Sequence, residues 1–147
     1  MIFDTWGSLL NDEQYEKFSL RYINKIKNAI ANQNIPLIYY VRETGRKLEA
    51  LKNLDINVLG IDSTTDIGVI KKEIGDKFAL QGNLDVNILK KDESDIIAAI
   101  KNILISYGSN SGHIFNLGTG ITPDINPDKV KMLIDNLADI SSKFHVK

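Results

Sequence analysis

Two spacings of apolar residues alternate along this chain. Short apolar runs lie at Met1 to Phe3, Pro36 to Val41, Asn57 to Ile61, Lys77 to Gln81 and His113 to Leu117, and each predicts a β-strand. Between them are longer stretches in which apolar positions recur every three or four residues, the spacing of a helix with one buried face. Strands and helices in alternation are the pattern of repeated strand–helix units around a parallel sheet, so the predicted fold class is α/β.

The helical stretches carry their own boundary chemistry. The first begins at Asn11 or Asp12, with Gln14 placed to close a capping box, and sets Tyr15, Phe18, Tyr22, Ile26, Ala29 and Ile30 on one face before ending near Asn32. A short helix is predicted around Lys47 to Leu54, and another over Ile67 to Ile74 ahead of Gly75. The fourth starts at Asp92 or Ser94, turns Ile96, Ile97, Ile100, Ile103 and Leu104 toward a core, and stops at Gly108. The last has Asn126 as N-cap and Pro127 at its first position, with Val130, Leu133, Ile134 and Leu137 on one face. No linker, repeat or low-complexity segment interrupts the series, and Gly108 to Gly112 suits a helix-to-strand loop, so residues 1–147 read as one domain. Periodicity is compatible with two arrangements, an open doubly wound sheet or an arc of a (β/α)8 barrel.

Composition narrows the partners. With 147 residues and 43% hydrophobic content the chain can bury an ordinary core. Its 18 basic and 19 acidic side chains nearly cancel, which leaves no general field to draw it to nucleic acid or an acidic membrane. Cysteine is absent, so disulfides and thiolate-ligated metals are excluded, and a reducing compartment fits. There is no signal-peptide pattern and no apolar run of membrane-spanning length; a soluble, cytoplasmic protein is expected.

In a parallel α/β protein, ligand-handling groups lie beyond the C-terminal ends of the strands. The candidates are Asp4, Thr5 and Trp6; Arg42, Glu43 and Thr44; Asp62, Ser63 and Thr64; Gln81, Gly82 and Asn83; and Gly118, Thr119 and Gly120. Gly118-Thr119-Gly120 has the freedom to bring backbone amides toward an anion. Gln81-Gly82-Asn83 reads as a tight polar turn closing a strand, suited to orienting a ligand or, since amides transfer no proton, to bracing its neighbours. Arg42 and Arg46 can meet a carboxylate or pair with Glu43 or Glu49. Asp4 and Trp6 have two readings, substrate contact on one hand, or backbone capping and packing under the next helix on the other. His113, at the start of its strand, belongs to the rim where residues serve stability, and His145 lies in the C-terminal tail.

Three segments, Ile2-Phe3-Asp4-Thr5-Trp6-Gly7, Ala79-Leu80-Gln81-Gly82-Asn83-Leu84-Asp85 and His113-Ile-Phe-Asn-Leu-Gly-Thr-Gly-Ile-Thr-Pro123, together resemble the uroporphyrinogen decarboxylase family in the order in which they occur. The resemblance spans essentially the whole chain and matches the C-terminal part of the family, whose members are about twice as long. It implies the C-terminal part of a (β/α)8 TIM barrel, with about five strand–helix units. The implied activity is removal of carboxylates from tetrapyrrole acetate side chains in haem biosynthesis, with no metal or organic cofactor. It also implies that Thr5 is the small hydroxyl residue touching a substrate carboxylate. Thr119 stands where the family typically has a substrate-contacting histidine, and a threonine carries neither proton nor cation near neutral pH. Ser63 replaces a usual tryptophan and thins the implied pocket wall, and Glu43 adds a negative charge beside Arg42, in a loop that in the family is rich in glycine and contains lysine.

The family's arginine-rich substrate loop and its key aspartate belong to the N-terminal half and have no match here, so an isolated chain is expected to be inactive. Five strands of a barrel also leave two open edges, and the arc is expected to self-associate as a homo-oligomer or to pair with a separate N-terminal half. Two alternatives stand beside catalysis. One is a non-catalytic half-barrel remnant. The other is a relative of the corrinoid-dependent methyltransferases, against which the absence of zinc-ligating cysteine counts.

Overall fold

The computed structural model describes residues 1–144, so His145 lies outside the described residues. Five strands form one sheet: β1 (Ile2–Asp4), β2 (Ile38–Val41), β3 (Val58–Gly60), β4 (Ala79–Leu84) and β5 (His113–Leu117). They lie side by side in chain order and every pair is parallel. A doubly wound sheet reverses its order at a switch point, and this one never does. The sequential order is that of a barrel arc.

The register carries a row of side chains across the whole sheet, Phe3, Tyr40, Gly60, Gln81 and Ile114. This row faces away from the helices, on what a closed barrel would make its interior. Side chains of alternate parity, Tyr39, Val41, Leu59 and Leu80, point to the helical side and are buried. Two clusters form the core there. Tyr15, Leu20, Ile23, Leu59, Ile67 and Ile70 pack behind β1 to β4, and Leu84, Ile96, Ile100, Leu104 and Leu133 pack behind the β5 side, with Ile103 touching both. Each such side chain contributes about 1.5–3 kcal/mol by leaving water. The inner face has no such cover: Met1, Phe3 and Ile114 are exposed.

The helices are α1 (Asp12–Tyr15), α2 (Arg21–Ile30), α3 (Leu48–Leu51), α4 (Ile67–Ile74), α5 (Glu93–Tyr107) and α6 (Pro127–Ser141). Asn11 and Gln14 form the predicted capping box, Asp66 caps α4 through the Val69 amide, and Asn126 caps α6 with Pro127 behind it. Between α1 and α2 the chain widens into a π-turn over Glu16–Leu20. One extra residue in a turn rotates everything after it by about 100°. The buried face therefore continues from Tyr15 through Ser19, Leu20 and Ile23, and Phe18, Tyr22 and Ile26 are exposed, which corrects the even stripe expected from spacing. Ile134 of α6 is likewise exposed.

A second correction concerns Gln81-Gly82-Asn83, which lies inside β4 rather than in a turn after it. Gly82 and Asn83 pair with Phe115 and Asn116 of β5. Glycine is needed there because a Cβ on Gly82 would sit 2.5 Å from the Ile61 carbonyl oxygen.

Candidate functional site

A cleft of about 650 Å³ opens over the inner face of the sheet toward the C-terminal strand ends. Its floor is apolar, built from Met1, Phe3, Tyr40, Ile61 and Leu117. Hydroxyls stand around it, from Thr5 after β1 and from Thr119 and Thr122 after β5. The structure thus brings Thr5 and Thr119, more than a hundred residues apart, to one cavity. Arg42 is the charged side chain among its described lining residues.

The neighbouring candidates do structural work instead. Asp4 turns away from the cleft, accepting hydrogen bonds from Ser19 and, at 2.8 Å, from Tyr39. Tyr39 and Tyr15 are fully buried with hydroxyls 2.7 Å apart, and burial drives both phenols far above their ordinary range. Asp62 is buried and braces two loops, accepting from the Thr44 amide at 3.2 Å and the Thr64 hydroxyl at 2.9 Å. The Asn83 side chain donates to the carbonyls of Asp62 and Thr65, at 2.9 and 2.6 Å, so its amide is a brace. His113 donates from Nε2 to the Gly82 carbonyl, 2.9 Å away, and stacks on Tyr107 at 4.4 Å, on the helical side of β5 and away from the cleft. Packing under a helix is not found for Trp6, which is largely exposed and has the Arg42 guanidinium 6.0 Å from its ring.

The glycine loop after β5 owes its shape to contacts rather than to freedom. The Gly118 amide is spent on the Leu84 carbonyl at 2.7 Å, so it is not offered to a ligand. A Cβ on Gly118 would lie 2.4 Å from the Ser63 backbone nitrogen, a close approach between the loops after β3 and β5 that only glycine permits. Tyr40 then pins this loop, donating its hydroxyl to the Gly118 carbonyl at 3.0 Å. Its phenol is raised by burial and by the Asp62 charge, with Arg42 opposing both. Sequence reasoning missed Tyr40, although the alternation of β2 holds the signal: with Tyr39 in the core, Tyr40 must face the other side.

Charge around Arg42 also differs from expectation. Glu43 is turned back to Arg46, with which it forms an ion pair at 2.7 Å, and it does not line the cleft. Its charge is neutralised outside, so it does not oppose an anion within.

A parallel arc whose cleft opens at the C-terminal strand ends defines a protein of the (β/α)8-barrel class. Residues 1–140 match the uroporphyrinogen decarboxylase (URO-D) family, and the chain belongs to that family. It is 42% identical to the uroporphyrinogen decarboxylases of Methylococcus capsulatus and Tolumonas auensis, in each case over 99% of this chain and 42% of the relative. The uroporphyrinogen decarboxylase of Cellvibrio japonicus is 40% identical over 98% of this chain. The chain thus spans about two fifths of the length of the curated relatives it matches. Among solved structures, a methyltransferase from Methanosarcina mazei superposes with a TM-score of 0.79 over 95% of this chain and 41% of its own, at 18% identity. That likeness concerns the fold. No helix among the described residues is long and apolar enough to cross a membrane.

Proposed function

We propose that this chain supplies the C-terminal strand–helix units of a uroporphyrinogen decarboxylase acting in haem biosynthesis, and forms one wall of its tetrapyrrole site. One observation carries the reading: in a chain of this family, Thr5 and Thr119 meet across an apolar-floored cleft at the C-terminal strand ends. In the proposed reaction a pyrrole carbon is protonated and the ring becomes an electron sink. The bond between an acetate methylene and its carboxylate breaks, carbon dioxide leaves, and the electron pair neutralises the ring. The methylene then takes a proton to become methyl while the ring carbon releases one.

The part this chain plays is to bind and orient. The floor shields the macrocycle from water, and the Thr5 hydroxyl donates to an acetate carboxylate. The Thr119 hydroxyl does the same from the opposite side. Neither hydroxyl titrates near neutral pH, and no histidine, carboxylate, lysine or cysteine is among the described lining residues. That observation favours a second reading for the chain alone, binding without turnover. The protons and the remaining charge stabilisation then come from strands supplied by further polypeptide or by a second copy, closing the open edges of β1 and β5.

The test is an anaerobic assay of coproporphyrinogen formed from uroporphyrinogen, read by chromatography. The chain is assayed alone and mixed with the part of the Methylococcus capsulatus relative that precedes the matched region. Turnover only in the mixture supports the proposal. Porphyrin binding by the chain with no turnover in either sample selects the non-catalytic reading, and absence of both refutes the assignment of this cleft.

A further inference from the structure

The cleft pairs an apolar floor with a cationic side chain, that of Arg42, at its rim, a combination that the threonines do not account for. Arg42 leaves β2 directly after Val41 and lines the cleft. Its guanidinium sits 6.0 Å from the Trp6 ring centroid, within cation–π range. Tyr40, whose hydroxyl donates to the Gly118 carbonyl, lines the same cleft. The acidic groups nearby are engaged elsewhere: Glu43 with Arg46, Asp62 with Thr44 and Thr64, and Asp4 with Ser19 and Tyr39. Among the described residues Arg42 forms no ion pair, and it lines the cleft together with Thr5 and Thr119.

We infer that Arg42, oriented by Trp6, is the carboxylate anchor of this cleft and selects flat apolar ligands that carry a carboxylate at their margin. The guanidinium fork matches a carboxylate bidentately, and Thr5 is placed on the same cleft to donate a further hydrogen bond. A planar body then packs against Phe3 and Tyr40, whose ring centroids are 6.0 Å apart and whose planes are tilted by 59°, so that it meets one ring by its face and the other by its edge. The inference rests on the proposed tetrapyrrole function only for its natural ligand; the recognition chemistry holds for any aromatic carboxylate.

The test is a fluorescence titration of the purified full chain with three probes: uroporphyrin, pyrenebutyrate, and the neutral alcohol pyrenebutanol. Wild type is compared with Arg42→Gln, Arg42→Lys and Arg46→Gln, and folding of each is checked by circular dichroism. Arg42→Gln is expected to weaken both carboxylate probes by about tenfold or more, the usual effect of losing a charge-assisted hydrogen bond, with the alcohol unchanged. Arg42→Lys recovers part of the loss, and Arg46→Gln, which leaves Arg42 in place but frees the Glu43 carboxylate beside it, weakens the carboxylate probes less than Arg42→Gln does. If pyrenebutyrate shows this pattern and uroporphyrin does not bind, the anchor stands and the tetrapyrrole assignment falls. If uroporphyrin binds equally well to wild type and Arg42→Gln, the anchor is overturned and the assignment survives. Failure of both carboxylate probes to bind wild type also overturns the anchor.

Discussion

The loop that carries Thr119 exists because Gly118 has no side chain, and replacing that glycine measures how tightly the cleft is built. In Gly118→Ala the new Cβ would lie 2.4 Å from the Ser63 nitrogen, 2.9 Å from Ser63 Cβ and 3.0 Å from the Asp62 carbonyl carbon. These are mainly backbone atoms, so no side chain can swing aside and the loops must part by about 1 Å to reach the 3.4 Å of ordinary contact. Forcing a group into a filled space costs about 1–3 kcal/mol. Parting also strains the bonds from Tyr40 to the Gly118 carbonyl and from the Gly118 amide to Leu84, each worth about 1 kcal/mol. The sum is a loss of about 2–4 kcal/mol, which for a chain of this size lowers the melting temperature by about 5–15 °C. Gly120→Ala is the internal control, since a Cβ there meets nothing within 4 Å. It should be neutral, or stabilise by about 0.5 kcal/mol through the unfolded chain. Urea and thermal unfolding followed by circular dichroism read both variants. Equal melting temperatures for Gly118→Ala and Gly120→Ala would refute the close approach of the two loops and the rigid cleft built on it.

Other groups give further expectations. Tyr39→Phe removes the donor to Asp4 and the partner of the Tyr15 hydroxyl inside the core, and is expected to cost about 1–3 kcal/mol in urea unfolding. Because folding raises the Tyr15 and Tyr39 phenols above their ordinary value of 10.0, their contribution is intact below pH 10 and is lost as pH rises above it. An ultraviolet alkaline titration should show two tyrosines ionising only with unfolding; smooth ionisation of all five tyrosines near pH 10 in the folded state would contradict this. Lys47, 6% exposed, holds the Leu10 carbonyl at 2.7 Å and Asp12 at 3.0 Å, so Lys47→Met should lose about 2 kcal/mol, and a change below 0.5 kcal/mol would count against that bond. Asp66 is held below its ordinary 3.8 chiefly by the Ser106 hydroxyl, so its contribution is present above that pH and lost as pH falls below it. Asp66→Ala should cost about 1 kcal/mol at pH 7 as a lost helix cap, with the difference from wild type shrinking below pH 4 in acid unfolding curves.

Local chemistry was enough for the sequence to set the elements. The capping box at Asn11 and Gln14, Asn126 with Pro127, and the bounds of α4 and β5 depend on residues a few positions apart, and each stands where spacing put it. Kinship, too, was legible in three short motifs, because they lie at strand ends where side-chain identity matters more than periodicity. What the sequence did not decide is which way each side chain points once distant segments meet. The π-turn after Tyr15 moved the buried face of the first helix, since one additional residue in a turn is invisible to a period of three or four. Gly82 was read as a turn because glycine permits one, yet packing against Ile61 and pairing with β5 made it part of a strand. The same holds at the cleft. Thr5 and Thr119 were nameable from their motifs, but the sheet brought them together, turned Asp4 away, and left Arg42 facing the cavity with Tyr40 holding the loop after β5. Those outcomes rest on contacts between residues tens of positions apart, which exist only when the parallel order of β1 to β5 has closed.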